Sequence, residues 1–281
     1  MDKSVSLVLI SRDHEHFVND CIHSVYREFG RSVQVIHVDT GSRDASVEVA
    51  ALAYKTLGME PKFIRGRMTT MAALLRASDR VSSDYVALLS TDDWLMPGYG
   101  AAVHRLLAAS SPLACWNFGL AIYDEDSKRT GSLSPRWTPF ASLNRSLLSW
   151  ANLGTAPGSL IPWKVIRSTG LLEKHASSVV EDYPIWLELV SRTPIRSLRK
   201  RLVAYRRHKG AQSLALNNTE YAWSLGYVMG LVESRGGGGL SRLGLHIQSR
   251  RRLRDLDCSV HHYFREGLEA GSMNGLTLAR P

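Results

Sequence analysis

Short apolar runs alternate with helix-spaced apolar positions along the first hundred residues. VSLVLI (5–10) has the pattern of a strand covered on both faces. Phe17, Val18, Cys21, Ile22 and Val25 follow at helical spacing and predict a helix over 14–28. VQVIHV (33–38) predicts a second strand ending at Asp39, with a helix from Asp44 to about Leu57 behind it. KFI (62–64) predicts a third strand, residues 69–80 a helix, and YVALLS (85–90) a fourth strand. Strands and helices at this pitch make a mostly parallel, doubly wound sheet. Such sheets bind ligands beyond the carboxyl ends of their strands. Ser11–Asp13, Asp39–Ser42 and Ser90–Asp93 all fall at such ends, so three polar clusters converge on one edge.

Beyond residue 110 the alternation weakens. ACWNFGLAIY (114–123) reads as a strand, DEDSKRTGS (124–132) as a solvated turn and 142–151 as a helix. PGSLIP (157–162) reads as a short strand, Asp182 to Val190 as a helix, and RLVAYRRH (201–208) as a strand with a polar end. Helices over 217–234 and 240–268 flank the flexible RGGGG (235–239). In the last helix Leu253, Leu256, Val260 and Phe264 share a face beside Arg250, Arg251, Arg252 and Arg254. That pattern suits either a helix packed on the domain or a second subunit, or one lying on an anionic membrane.

Composition narrows the class. The chain has 281 residues, 44% hydrophobic and 22% charged, enough for a large core. No apolar run reaches the length of a membrane span, and the start does not read as a signal peptide. Cys21, Cys115 and Cys258 match neither a disulfide framework nor a zinc spacing, which predicts a cytoplasmic protein. The net charge of +9 favours anionic partners, but no nucleic-acid motif accompanies it. His14, His16, His261 and His262 lack partners at ligand spacing and are set aside as metal ligands.

Four stretches together resemble a family-2 glycosyltransferase with the GT-A fold: VSLVLISRDHEHFVNDCIHSV, VIHVDTGSRDAS, SDYVALLSTDDWLMPGY, and VVEDYPIWLELV followed by LVAYRRHKGAQS. They cover about 5–215 in the family's order. The resemblance implies an α/β, Rossmann-like GT-A domain over 1–215, with a nucleotide-binding half (1–110) and an acceptor half (111–215). Residues 216–281 then form a helical C-terminal extension. Ser90 stands where the family has the first acid of its metal motif, Ser11 and Asp13 where Thr and Asn are usual, and MAALLRAS where an Arg-Asn segment is usual.

The implied reaction is inverting transfer of a sugar from a nucleoside-diphosphate donor, a UDP-sugar first, to a hydroxyl of a glycan or lipid-linked acceptor. A diphosphate leaving group gathers negative charge, which a divalent cation such as Mn2+ or Mg2+ stabilises. By resemblance Asp92 is a metal ligand, Asp93 ligates or orients water, and His208 joins the metal or the diphosphate. Asp39 binds base or ribose, while Ser11, Asp13, Ser90, Thr91, Glu181 and Arg206 line the donor site. Asp182 is the base that deprotonates the acceptor. Each has a plain alternative: a turn cap for Asp93, an Asp-Thr-Gly-Ser turn for Asp39, a helix N-cap for Asp182, a solvated face for His208 and its basic neighbours. A catalytically silent GT-A module that binds a glycan or protein is the alternative function. A sugar-phosphate nucleotidyltransferase would need a Gly-rich loop after the first strand, where this chain has SRDHEH. Peripheral membrane contact through 240–268 and a homodimer are both compatible with the pattern.

Overall fold

The computed structural model describes residues 4–109, 113–180, 182–211, 219–234 and 239–278. The first half follows the sequence pattern closely: β1 (Val5–Ser11), α1 (Val18–Phe29), β2 (Gln34–Asp39), α2 (Ser46–Leu57), β3 (Lys62–Arg65), α3 (Thr70–Ser78) and β4 (Tyr85–Ser90). These four strands are parallel in the order β3-β2-β1-β4. Successive side chains of a strand point to opposite faces, and each face here has its own core. Leu7 and Leu9 of β1 and Ala87 and Leu89 of β4 pack against Val18, Cys21 and Ile22 of α1 and Tyr54 of α2. Val8, Val86 and Leu88 face the other way, toward Met71 and Leu74 of α3. Burial on both faces explains why these strands read as apolar runs.

The second half adds antiparallel pairing. β5 (Trp94–Leu95) and α4 (Tyr99–Ala108) precede β6 (Cys115–Tyr123), β7 (Arg129–Leu133), α5 (Ala141–Leu148) and β8 (Leu160–Pro162). Then come α6 (Trp163–Ser168), α7 (Leu171–Lys174), α8 (Asp182–Leu189) and β9 (Ile195–Arg206). β8 pairs antiparallel with β4 and β6, β9 runs parallel to β6, and β5 closes the order antiparallel to β9. The sheet is therefore mostly parallel over its first half and mixed beyond it.

Three expectations are corrected. Residues 124–132 are not one turn: Asp124 accepts the Lys128 amide at 2.8 Å, and β7 then pairs with β6. β7 carries mostly exposed side chains, so it shows no apolar alternation. β9 begins at Ile195, where it pairs with β6, rather than at 201; its first half is largely exposed and so carries no apolar run. The helix expected over 240–268 is two helices, α10 (Gly239–Asp255) and α11 (His261–Leu278). Asp257 interrupts them by accepting the Ser259 amide at 2.9 Å and capping a single 3-10 turn, Cys258–Val260. β5, α4, α6 and α7 had no counterpart in the pattern.

The C-terminal helices share a core with the sheet. Ala222, Leu225 and Val228 of α9 (Thr219–Ser234) and Phe264 of α11 belong to the same apolar cluster as Val8 and Trp186. α9 and α11 meet backbone to backbone. A Cβ at Gly226 would lie 1.9 Å from the Phe264 carbonyl oxygen, and one at Gly271 2.0 Å from that of Tyr227. α9 also fastens the segment leading into α8: Ser224 Oγ accepts the Val179 amide at 3.0 Å and Tyr227 Oη lies 2.7 Å from His175 Nδ1. No helix among the described residues is long and apolar enough to cross a membrane.

Gly226→Ala tests this close approach. Alanine gains about 1 kcal/mol of helix propensity. Overpacking against a carbonyl held by its own helix costs about 3 kcal/mol, so the variant should lose about 2 kcal/mol in urea unfolding.

Candidate active site

The carboxyl ends of β1, β2 and β4 carry polar side chains that order one another. Parallel pairing sets Ser11 beside Asp39 and Ile10 beside Ser90. The Ser11 hydroxyl lies 3.3 Å from Asp39 Oδ2 and 3.0 Å from His37 Nε2, whose Nδ1 is 3.0 Å from Tyr54 Oη. Asp39 Oδ1 accepts the amides of Gly41 and Ser42 at 3.1 Å each, and its Oδ2 accepts the Ser42 hydroxyl. The Asp-Thr-Gly-Ser turn is therefore real, and Asp39 is buried within it. Asp13 has φ of 57°, a left-handed backbone that aspartate tolerates. Its amide donates to Ser42 Oγ at 3.0 Å, and its carboxylate accepts the Arg43 amide at 2.7 Å. Ser11, Asp13 and Asp39 thus form one rim.

The second cluster is made by β5. Trp94 pairs with Ala204 and Leu95 with Val203. Carrying that register outward brings Asp92 level with Arg206, and His208 lies two residues beyond. Asp93 Oδ1 accepts the Arg206 amide at 2.8 Å, and Asp92 Oδ2 is 3.1 Å from His208 Nε2. His14, from the loop after β1, reaches the same point with Nε2 3.8 Å from Asp92 Oδ2. Its Nδ1 is 2.9 Å from Thr91 Oγ1, and its amide donates to Ser46 Oγ at 2.7 Å. The neighbouring Thr91 is itself buried, its amide donating to the Ile10 carbonyl at 2.9 Å.

His14, Asp92 and His208 offer ligand atoms within 4.8 Å of one another. Asp92 Oδ1 is buried and makes no hydrogen bond. A buried carboxylate oxygen left unpaired is costly, so this atom calls for a cationic or donor partner. Two imidazoles and a carboxylate suit a first-row transition-metal dication better than magnesium, which prefers all-oxygen surroundings. Burial alone would raise the Asp92 carboxyl, but the His14 charge, the His208 hydrogen bond and the Ser90 hydroxyl outweigh it and hold the pKa at about 2. Burial lowers the pKa of His14, against the pull of Asp92 and with the repulsion of His208. Lowered basicity keeps a nitrogen lone pair available for a cation.

Other expected site residues lie differently. Asp93 faces β9 rather than the imidazoles. Arg206, only 2% exposed, is held between the Phe17 and Trp94 rings at 4.4 and 4.7 Å and pairs with Asp20 at 3.2 Å. Of the basic run, Arg207 and Lys209 are the exposed members. Asp182 opens α8, where Asn152 donates to its Oδ2 and the Tyr183 amide to its Oδ1 at 2.8 Å. Burial raises its pKa, while those hydrogen bonds and the charge of Arg252 on α10 oppose the rise. No hydrogen bond or ion pair among the described residues joins Asp182 to Asp92 or His208. Glu181 lies outside the described residues. His14 is the member that sequence reasoning set aside, because its partners come from strands remote in the chain. The one signal for it was its position, just after the first strand on the ligand-binding edge.

The sheet and its polar carboxyl edge define a GT-A protein. Residues 6–158, over half of the chain, match the family described as Glycosyl transferase family 2, and the chain belongs to that family of glycosyltransferases. The putative glycosyltransferase EpsH of Bacillus subtilis (strain 168) is 23% identical over 122 residues, which span 43% of this chain and 35% of that relative. The S. aureus TarS fragment 1–349 in complex with UDP-GlcNAc aligns with 99% of this chain and 76% of its own, at TM-score 0.57 and 12% identity. Mannosyltransferase PcManGT from Pyrobaculum calidifontis, in complex with GDP-Man and Mn2+, aligns with 97% of this chain and 76% of its own, at TM-score 0.59 and 11% identity. At these identities the likeness is one of fold.

The Asp39 network has a pH signature. Burial pushes the His37 pKa from 6.5 down to about 4, against the pull of Asp39 and with the repulsion of His14. The unfolded chain binds this proton first, so stability present above pH 6.5 is lost as pH falls toward 4. Between neutral pH and pH 4 the wild type should lose about 3 kcal/mol more in urea unfolding than His37→Gln does.

Proposed function

We propose that the chain is an inverting, metal-assisted glycosyltransferase that moves a sugar from a nucleoside-diphosphate donor, a UDP-sugar first, to a hydroxyl of a glycan or lipid-linked acceptor. The observation that carries this reading is Asp92 at the ligand-binding edge, with His14 and His208 beside its Oδ2 and its buried Oδ1 without a hydrogen bond. His14, Asp92 and His208 would hold a divalent cation, which when bound neutralises the charge that gathers on a diphosphate leaving group. The Mn2+ and GDP-Man of one structural neighbour and the UDP-GlcNAc of another agree with that assignment.

The rim residues take the other end of the donor. Asp39 and Asp13, on ordered turns, suit the hydroxyls of a ribose or the edge of a base, and Ser11 keeps the Asp39 carboxylate in place. Ser90, Thr91 and Arg206 support this site by position: Thr91 orients His14, and Arg206 anchors Asp93 through its amide. Asp93 therefore serves in holding β9 against the metal motif, and Glu181 remains a donor-site assignment by resemblance alone.

Asp182 is the general base. A carboxyl whose pKa is raised by burial accepts a proton from a sugar hydroxyl more readily than a solvated one does. Asn152 orients it, and Arg252 favours its charged form. The acceptor oxygen attacks the anomeric carbon as its proton passes to Asp182, the bond to the diphosphate breaks on the opposite face, and the configuration inverts.

Thermal unfolding with UDP, with and without Mn2+, tests the donor site. The wild type should be stabilised by UDP and further by Mn2+. Asp92→Ala and His14→Ala should each remove the metal-dependent increment. If no nucleoside diphosphate stabilises the protein, with or without metal, the donor assignment is wrong. Asp182→Asn should keep the full increment yet release nucleotide from donor and acceptor at least about a hundred-fold more slowly.

A further inference from the structure

Two exposed apolar rows meet beside the acceptor side of the molecule. Phe140, Leu143, Leu147 and Trp150 follow helical spacing along and just beyond α5, and Phe140 and Leu143 are 65% and 45% exposed. α10 packs against α5, and the Trp150 ring lies directly over Gly244: a Cβ there would be 2.5 Å from it. On α10, Leu243 and Ile247 flank that contact one helical turn apart, each 50% exposed. The same outward line of α10 continues through the exposed Arg250 and Arg254, with Arg251 beside them. α5 carries no acidic residue, and α10 carries only Asp255, which lies 3.9 Å from Arg251. Large apolar side chains stand out from two helix surfaces, with arginines at one end and a tryptophan at their junction.

The geometry points to this surface as a dock for an anionic lipid bilayer. The aliphatic and aromatic side chains enter the boundary between headgroups and acyl chains, while Arg250, Arg251 and Arg254 meet the lipid phosphates. Charge complementarity favours lipid over a second copy of this chain, because two such surfaces would bring their own arginines together. The dock also adjoins the chemistry. Trp150 is two residues from Asn152, which holds Asp182, and Arg252 on α10 acts on the same carboxylate. Resting on the transferase reading above, the docked orientation brings Asp182 to the membrane surface and makes a lipid-linked hydroxyl the acceptor class.

Sedimentation with vesicles tests the proposal on the full chain. The protein should co-sediment with phosphatidylcholine–phosphatidylglycerol vesicles and not with phosphatidylcholine alone, and added salt should release it. Arg250→Ala with Arg254→Ala should weaken partitioning about thirty-fold. Phe140→Ser with Ile247→Ser should weaken it too, and brominated acyl chains should quench more fluorescence in the wild type than in Trp150→Phe. All these residues are exposed, so the variants should keep the stabilisation by UDP and Mn2+. That readout separates a failed dock from a failed donor site. Equal binding to neutral vesicles, no binding to either, or self-association that these substitutions abolish would each overturn the proposal. The last result would assign the surface to a second copy.

Discussion

The two-residue pairing of β5 with β9 is the constraint on which the site depends. Trp94 and Leu95 bond to Ala204 and Val203, and the register thus set leaves His208 no place but beside Asp92. The Asp93 carboxylate locks the register by accepting the Arg206 amide, and the Arg206 side chain is clamped between Phe17 and Trp94. Phe17 also packs on His208, with ring centroids 4.6 Å apart. A slip of one residue would turn Arg206 and His208 together to the other face and empty the cluster. Adjacent carboxylates thus differ in their contacts, Asp93 accepting the Arg206 amide and Asp92 lying beside the imidazoles.

Burying several ionisable groups at a strand end is expensive unless each has a partner. Asp39 meets that cost with backbone amides and a serine hydroxyl, a self-sufficient arrangement that fixes its direction. Asp92 meets it only in part: two histidines lie near one oxygen, and the other oxygen makes no hydrogen bond. A fully satisfied network rigidifies, whereas a partly satisfied one is poised for a ligand. That difference separates the rim that orders the loop from the cluster that would gain most from a cation.

The helices after the sheet complete the enzyme rather than hang from it. α9 and α11 approach through glycines, which lets α9 lie deep enough to bond the segment before α8 and steady the position of Asp182. α10 lies across α5: Gln248 donates to the Ser149 carbonyl at 3.0 Å and accepts from Tyr183 Oη at 2.8 Å. Through these contacts the last quarter of the chain shapes the surroundings of the proposed base, a region where local patterning says little.

Much of this was legible in the residues. Strands β1, β2 and β4 are buried on both faces, so their apolar runs announce them, and strand direction alone puts Ser11, Asp39 and Asp92 at one edge. Exposed β7, the exposed first half of β9 and two-residue β5 carry no such periodicity, because their identity comes from pairing rather than burial. His14 was unreadable for the same reason. Metal spacing is easiest to recognise in sequence when the ligands share one helix or turn, and the three residues that would hold a cation here come from separate segments. That the apolar side chains of α5 and α10 meet in solvent follows from how the helices are placed. The sequence by itself determined the parallel half of the sheet, its ligand edge and the order of the carboxylates, since those follow from local periodicity. The tertiary structure decided which carboxylate faces the imidazoles of His14 and His208 and which apolar faces stay uncovered, since those depend on contacts between residues remote in the chain.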